Sequence, residues 1–176
     1  NEYLFLEKKL DRIFLIGFMG AGKTAVGKVL AKKLNYDFMD PDDKEHWIKR
    51  GFLGGQAQVF WDNRQKYYDI ETEILKDYIT NGSKNFVYST AGSIVLREEN
   101  IDLMKSSGTI IYLTANTETL HDRVKRQEKI SPNDVDDTDT FIKSREFKYK
   151  IADLEVDTND KSIEEVCLTI ISLLGL

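Results

Sequence analysis

The sequence predicts an α/β protein of three layers, with helices on both faces of a five-stranded parallel sheet, built as a P-loop kinase fold. Short apolar runs rich in β-formers alternate with longer segments of helical periodicity, the signature of a parallel sheet covered by helices. The first such run ends on the loop Gly17-Phe18-Met19-Gly20-Ala21-Gly22-Lys23-Thr24, which opens a helix. The acidic group Asp40-Pro41-Asp42 follows the second run, at the strand end where ligands collect in open sheets. With 176 residues and 41% apolar content, the chain can bury the core of a single domain spanning 1–176.

Each element has its own signal. Residues 12–16 form a compact apolar run, and residues 23–34 then carry Val26, Val29, Leu30 and Leu34 at helical spacing. Residues 36–39 read as a second strand. Residues 65–79 place Tyr68, Ile70, Ile74, Leu75 and Tyr78 at mostly helical intervals, and Asn81-Gly82 ends them. Strands at 86–90 and 109–113 flank a helix around 98–104. A helix over 117–126 leads into a polar, acidic stretch at 127–140. A helix around 141–151, a strand at 154–156 and a final helix over 162–174 complete the order. Two inserted units are expected within the domain: a substrate subdomain at about 43–80 and a lid at about 126–140.

Composition excludes several classes. A net charge of −5 argues against neutralising nucleic-acid phosphates or holding an anionic membrane, so neither is an expected partner. No apolar stretch approaches the roughly 18 residues of a membrane span, and the first residues lack a secretory pattern. The expectation is a monomer of the cytoplasm, or of a plastid if a longer precursor was trimmed ahead of Asn1. Cys167 is the single cysteine. Its apolar neighbours predict a packed, inert thiol.

The glycine loop carries the chemistry. Backbone N–H groups can point into a tight loop around phosphate only where side chains do not strain the turn or block the ligand. Lys23 supplies a mobile charge and Thr24 a hydroxyl ligand for the magnesium ion that accompanies nucleotide phosphates. Of the two carboxylates after the second strand, one can hold a magnesium-bound water while the other meets an acceptor hydroxyl. The plain alternative is a solvated acidic turn with Asp40 or Asp43 capping a helix.

On these residues the chain resembles the shikimate kinase family of the nucleoside monophosphate kinase-like P-loop enzymes. Matching segments are 13–27, 38–42 and Ser89-Thr90-Ala91-Gly92-Ser93-Ile94-Val95-Leu96-Arg97, followed by 111–113, 120–123, 145–149 and 152–158. The resemblance implies ATP- and Mg2+-dependent transfer to a hydroxyl of shikimate, a small polyhydroxy carboxylate, in aromatic amino acid biosynthesis. It implies that Gly17, Gly20, Ala21, Gly22, Lys23, Thr24 and Ala25 bind the nucleotide, Lys23 acting also in catalysis. Thr24 and Asp40 would serve the metal, and Asp42 the acceptor hydroxyl. Gly92 would line the acceptor pocket and Arg145 pair with the acceptor carboxylate. Arg123 would cover the adenine and Asp157 border the nucleotide.

Departures from the family fall on the acceptor and lid side. Tyr67-Tyr68 stand where the family has a Phe-Arg pair three residues ahead of a glutamate, here Glu71. Arg64, one turn earlier on the same face, is the candidate replacement. A triple glycine is reduced to Ala91-Gly92-Ser93, which would be strained wherever positive φ is needed. In the lid, Ser131-Pro132 replaces an Arg-Pro pair amid Glu128, Asp134, Asp136, Asp137 and Asp139, with Arg126 and Lys129 as the nearby cations. Two alternatives follow: a kinase of the same fold with another acceptor, and a nucleotide-binding but catalytically silent relative. His46 and His121 lack metal-ligand spacing and are expected at the surface. The aromatics Trp47, Phe52, Phe60, Trp61, Tyr67 and Tyr68 are expected mainly to pack a helical cap.

Overall fold

The computed structural model describes residues 10–126 and 143–176. Five strands form one wholly parallel sheet in the order β2-β3-β1-β4-β5, with β1 at Arg12–Ile16, β2 at Asp37–Met39, β3 at Phe86–Ser89, β4 at Thr109–Thr114 and β5 at Leu154–Asp157. The predicted fold class holds, and all five strands fall where the apolar runs place them. The three middle strands are almost wholly buried because both their faces are covered by helices.

The helices divide between those faces. In the β1–β3 register Phe14 lies beside Tyr88 and Leu15 beside Ser89, so alternate residues point to opposite sides. On the Leu15 side sits α1 (Lys23–Leu34): a Cβ at Gly27 would meet Leu15 at 3.4 Å and Phe38 at 2.7 Å, so this helix approaches the sheet closely. Helix α8 (Ile163–Leu174) packs on α1, where the Cys167 thiol, fully buried, donates to the Val26 carbonyl at 3.6 Å. Burial pushes that thiol up to about 11, so it stays protonated and inert as expected. On the Phe14 side, Tyr78 of α4 (Arg64–Asn81) packs edge-on against Phe86 and Tyr88, and α5 (Glu98–Ser107) packs beside α4.

Connections leaving the neighbours β1 and β3 therefore diverge to opposite faces, which opens a crevice above their carboxyl ends. The insert after β2 caps one side of it with α2 (Lys44–Ile48) and α3 (Gly55–Asp62), two short helices that periodicity does not separate. Its core is aromatic: Trp47 stacks on Tyr67 at 5.2 Å and donates its indole N–H to the Pro41 carbonyl at 2.8 Å. Trp61 is the exception to the packing expectation and is 69% exposed. A 3-10 turn at Ile94–Leu96, also not predicted, joins β3 to α5. Helix α6 (Thr117–Arg126) and helix α7 (143–149) border the far side. The lid expectation, with Glu128, Lys129, Ser131, Pro132 and the four aspartates after it, lies outside the described residues. No helix among the described residues is long and apolar enough to cross a membrane.

Candidate active site

The donor half is assembled by the turn from β1 into α1. Gly17, Gly20 and Gly22 all have positive φ. At Gly17 a Cβ would stand 2.7 Å from the Leu113 carbonyl, a clash with backbone, so the loop can pass this close to β4 only with glycine there. The N-terminus of α1 has no side-chain cap and no acidic residue in its first turn, so its positive dipole end suits an anion. Lys23 is 9% exposed, and its ammonium donates to the Gly17 carbonyl at 2.6 Å and the Phe18 carbonyl at 3.0 Å. The cradle and its cation fit a polyphosphate.

Beside the loop, the Thr24 hydroxyl donates to Asp40 Oδ2 at 3.1 Å and lies 3.5 Å from the Ser89 hydroxyl. Asp40 Oδ1 accepts the Asp42 backbone N–H at 2.9 Å, which locks the acidic turn. Asp43, not Asp40, caps α2. Thr24, Asp40 and Ser89 thus bring three hard oxygens together at the head of the cradle, a donor set that suits Mg2+. Across the loop, Arg123 donates to the Gly20 carbonyl at 3.2 Å and to Thr158 at 3.1 Å through both its hydroxyl and its carbonyl. It ties the glycine loop to the turn after β5, where Asp157 accepts the backbone and side-chain N–H groups of Asn159. Ala25 is exposed in the first turn of α1.

A second group of side chains meets the glycine loop at Gly92. A Cβ there would lie 3.6 Å from the Tyr149 hydroxyl, 3.7 Å from the Gly17 carbonyl and 3.8 Å from Arg145 Nη1. Those three groups surround the position that a side chain at Gly92 would take. Tyr149 donates to the Gly92 carbonyl at 2.7 Å and stacks on Tyr112 at 5.1 Å. Burial raises its phenol well above the ordinary range, and the adjoining Arg145 opposes that rise. Ser93 has φ −82°, and neither it nor Ala91 has positive φ, so the strain anticipated from losing glycines does not arise. Instead the Ser93 hydroxyl donates to Glu71 Oε2 at 2.6 Å in a buried bond.

With this geometry in place, comparison with known proteins becomes decisive. The sequence model of the shikimate kinase family matches residues 19–175. The chain belongs to the shikimate kinase family. It is 36% identical to the shikimate kinase of Pelotomaculum thermopropionicum over 94% of this chain and 96% of that one. It is 35% identical to that of Thermodesulfovibrio yellowstonii over 92% and 94%. The solved structure of shikimate kinase from Acinetobacter baumannii in complex with shikimate superposes with a TM-score of 0.84 at 26% identity, covering 99% of this chain and 97% of that one.

Family membership makes two placements informative. Arg64 does not reach the Gly92 cluster: it is exposed at the start of α4, and its guanidinium sits 4.8 Å from the Phe60 ring centroid. That cation–π contact holds Arg64 against the cap, where it was expected as a second carboxylate clamp. His46 and His121 are half-buried rather than at the surface. Burial lowers His46 from its ordinary value. Sequence reasoning also passed over Ser89, Tyr149 and above all Glu71, which is 2% exposed. A signal for Glu71 existed: it lies on the stripe of Tyr67, Ile70, Ile74 and Leu75 that α4 buries, and a carboxylate on such a stripe is costly unless it has a task.

Proposed function

We propose that this chain transfers the γ-phosphoryl group of ATP to a hydroxyl of shikimate. The observation that carries the reading is the convergence at Gly92, where the glycine-loop carbonyl, the Arg145 guanidinium and the Tyr149 hydroxyl meet within van der Waals reach of one point. A phosphate donor on the loop and a carboxylate acceptor on Arg145 would be neighbours there.

The roles follow from the chemistry of each group. Loop N–H groups and Lys23 hold the β- and γ-phosphates and offset the charge that spreads over the transferring group. Thr24 and Asp40, with Ser89 beside them, would hold Mg2+, which when bound neutralises the phosphate oxygens. Asp42, on the turn fixed by Asp40, orients the acceptor hydroxyl and accepts its proton. The hydroxyl oxygen bonds to the γ-phosphorus as the bond to the bridging β–γ oxygen breaks, and ADP leaves. Arg145, tied to Gly92 through Tyr149, pairs with the acceptor carboxylate. Arg123 and the turn at Asp157 frame the nucleotide's far end. One chain supplies both halves, in keeping with a monomer.

The test is a coupled ADP-release assay with ATP, magnesium and shikimate. Shikimate-dependent turnover is expected, and Asp42→Asn should lower kcat by about 100-fold or more with ATP binding retained. Turnover only with a different polyhydroxy acid would select the second reading, which Tyr68 and the remote Arg64 favour. Nucleotide binding without any acceptor-dependent turnover would reject kinase function.

A further inference from the structure

Helix α4 buries a carboxylate to which it offers no cation. The residues one turn from Glu71 on either side are Tyr67, Tyr68, Ile74 and Leu75, all uncharged. The partner comes instead from the segment after β3, where the Ser93 hydroxyl donates at 2.6 Å. A hydroxyl can donate to a carboxylate and accept from a carboxylic acid, so this partner suits both forms.

Charged and titratable groups face Glu71 from every side: Asp42 from the turn after β2, Tyr67 from α4, Tyr88 from β3, Arg97 from the start of α5, and Arg145 and Tyr149 from α7. Arg97 is engaged by Asp69 at 2.6 Å, which shares its charge elsewhere. Burial raises all three tyrosines, which stay neutral. Burial is also the main influence on Glu71, with Asp42 adding to it and the Ser93 bond, Arg145 and Arg97 opposing, and the carboxyl is carried up to about 7. An acceptor carboxylate brought to Arg145 therefore comes within electrostatic reach of Glu71, whose carboxyl can give up its charge near neutral pH.

We propose that Glu71 is a specificity-determining residue of the acceptor site, which admits an anionic acceptor beside Arg145 by taking up a proton while Ser93 holds the carboxyl in both forms. This rests on the reading that Gly92 and Arg145 line the acceptor pocket. Below neutrality Glu71 already carries the proton and affinity is highest. Above it, binding must recruit a proton, and affinity falls by up to about tenfold per pH unit.

The experiment is titration calorimetry of the full chain with shikimate between about pH 6 and about pH 8, using at the upper pH two buffers of different ionisation enthalpy. The wild type should take up a proton and weaken at least about fivefold across that range. Glu71→Gln should bind with a flat profile. The methyl ester of shikimate, which lacks the charge, should bind the wild type with a flat profile too. Zero proton uptake by the wild type overturns the inference without recourse to any variant. An unchanged slope in Glu71→Gln, or the same slope for the ester, overturns it as well. Shikimate binding that is absent at every pH overturns the acceptor reading itself, a different result from binding that ignores pH.

Discussion

The donor loop and the acceptor wall solve the same problem, holding charge beside a buried surface, by different means. The donor loop does it with backbone: positive-φ glycines, an uncapped helix start and a lysine resting on two loop carbonyls. The proposed acceptor wall does it with side chains from separate segments: Ser93 bonds Glu71, Tyr149 bonds the Gly92 carbonyl, and Asp42 and Arg145 act on Glu71 through their charges. A backbone site tolerates little change because its donors belong to the turn itself. A side-chain site can exchange a member, and Tyr68 and Ser93 stand where the family resemblance leads one to expect an arginine and a glycine. Selectivity for an acceptor is therefore the property most open to change within this fold.

The largest effect should come from breaking the donor side. Lys23→Ala removes the one mobile cation of the cradle, and kcat should fall by about 1000-fold, in the range lost when a preorganised charge-stabilising donor is removed. Steady-state kinetics with saturating shikimate measures it. A loss below about tenfold would mean that Lys23 remains on Gly17 and Phe18 during turnover and serves the loop's shape instead.

Next in size is a stability effect on the acceptor side. Glu71 binds its proton more tightly in the folded chain, up to about 7, than an exposed carboxyl does near 4.5. Between those values the native state holds more protons than the unfolded one, so this group's contribution to stability is fully present below about 4.5 and is lost as pH rises through about 7. The span corresponds to up to about 3 kcal/mol. Urea unfolding of the wild type and Glu71→Gln should show their difference changing by that order between acid and alkaline conditions, in favour of the variant at high pH. Parallel curves would mean that the carboxylate is better solvated than its burial implies.

Arg145→Leu sharpens the contrast from the other direction. A hydrogen bond to a charged group contributes about 1.5 to 3 kcal/mol, so the KM for shikimate should rise about 10- to 100-fold with the KM for ATP unchanged. Equal changes in both would deny that the two halves are separable.

The two regions also differed in how far the sequence disclosed them. The strand, loop and helix around residues 17–24 are local in sequence, so the spacing of glycines, Lys23 and Thr24 was enough to place the cradle and its neighbour Asp40. Strand positions followed from apolar runs in the same way, whereas the order β2-β3-β1-β4-β5 is set by how the helices pack and came only with the structure. The acceptor wall was legible only in part. Ser93 and Glu71 are separated by 22 positions and meet only because α4 and the segment after β3 pack on the same face, which no local pattern encodes. The surroundings of Arg64 were hidden for the same reason: helical spacing shows which face a residue shares but not that Phe60, on the preceding helix, meets its guanidinium.

Tyr68→Arg is the smallest of these changes and the most searching, because it tests whether the exchanged members of the wall form a set. Tyr68 is half-buried, packs edge-on against Tyr67 at 5.7 Å, and precedes Glu71 by one helical turn. An arginine there would place a cation beside the buried carboxylate and near the acceptor carboxylate. Both effects act in one direction: the cation holds Glu71 ionised at lower pH and adds a second partner for shikimate. Affinity near pH 8 should improve by up to about tenfold, about 1.4 kcal/mol, less than a full charged hydrogen bond because the long side chain must also be ordered. The dependence of affinity on pH should flatten at the same time, since Glu71 then has little reason to take up a proton. Better binding with the slope intact would show that the new cation serves the ligand alone. Unchanged binding at both ends of the pH range would place side chain 68 against the aromatic cap and leave Ser93 as the partner that decides the state of Glu71.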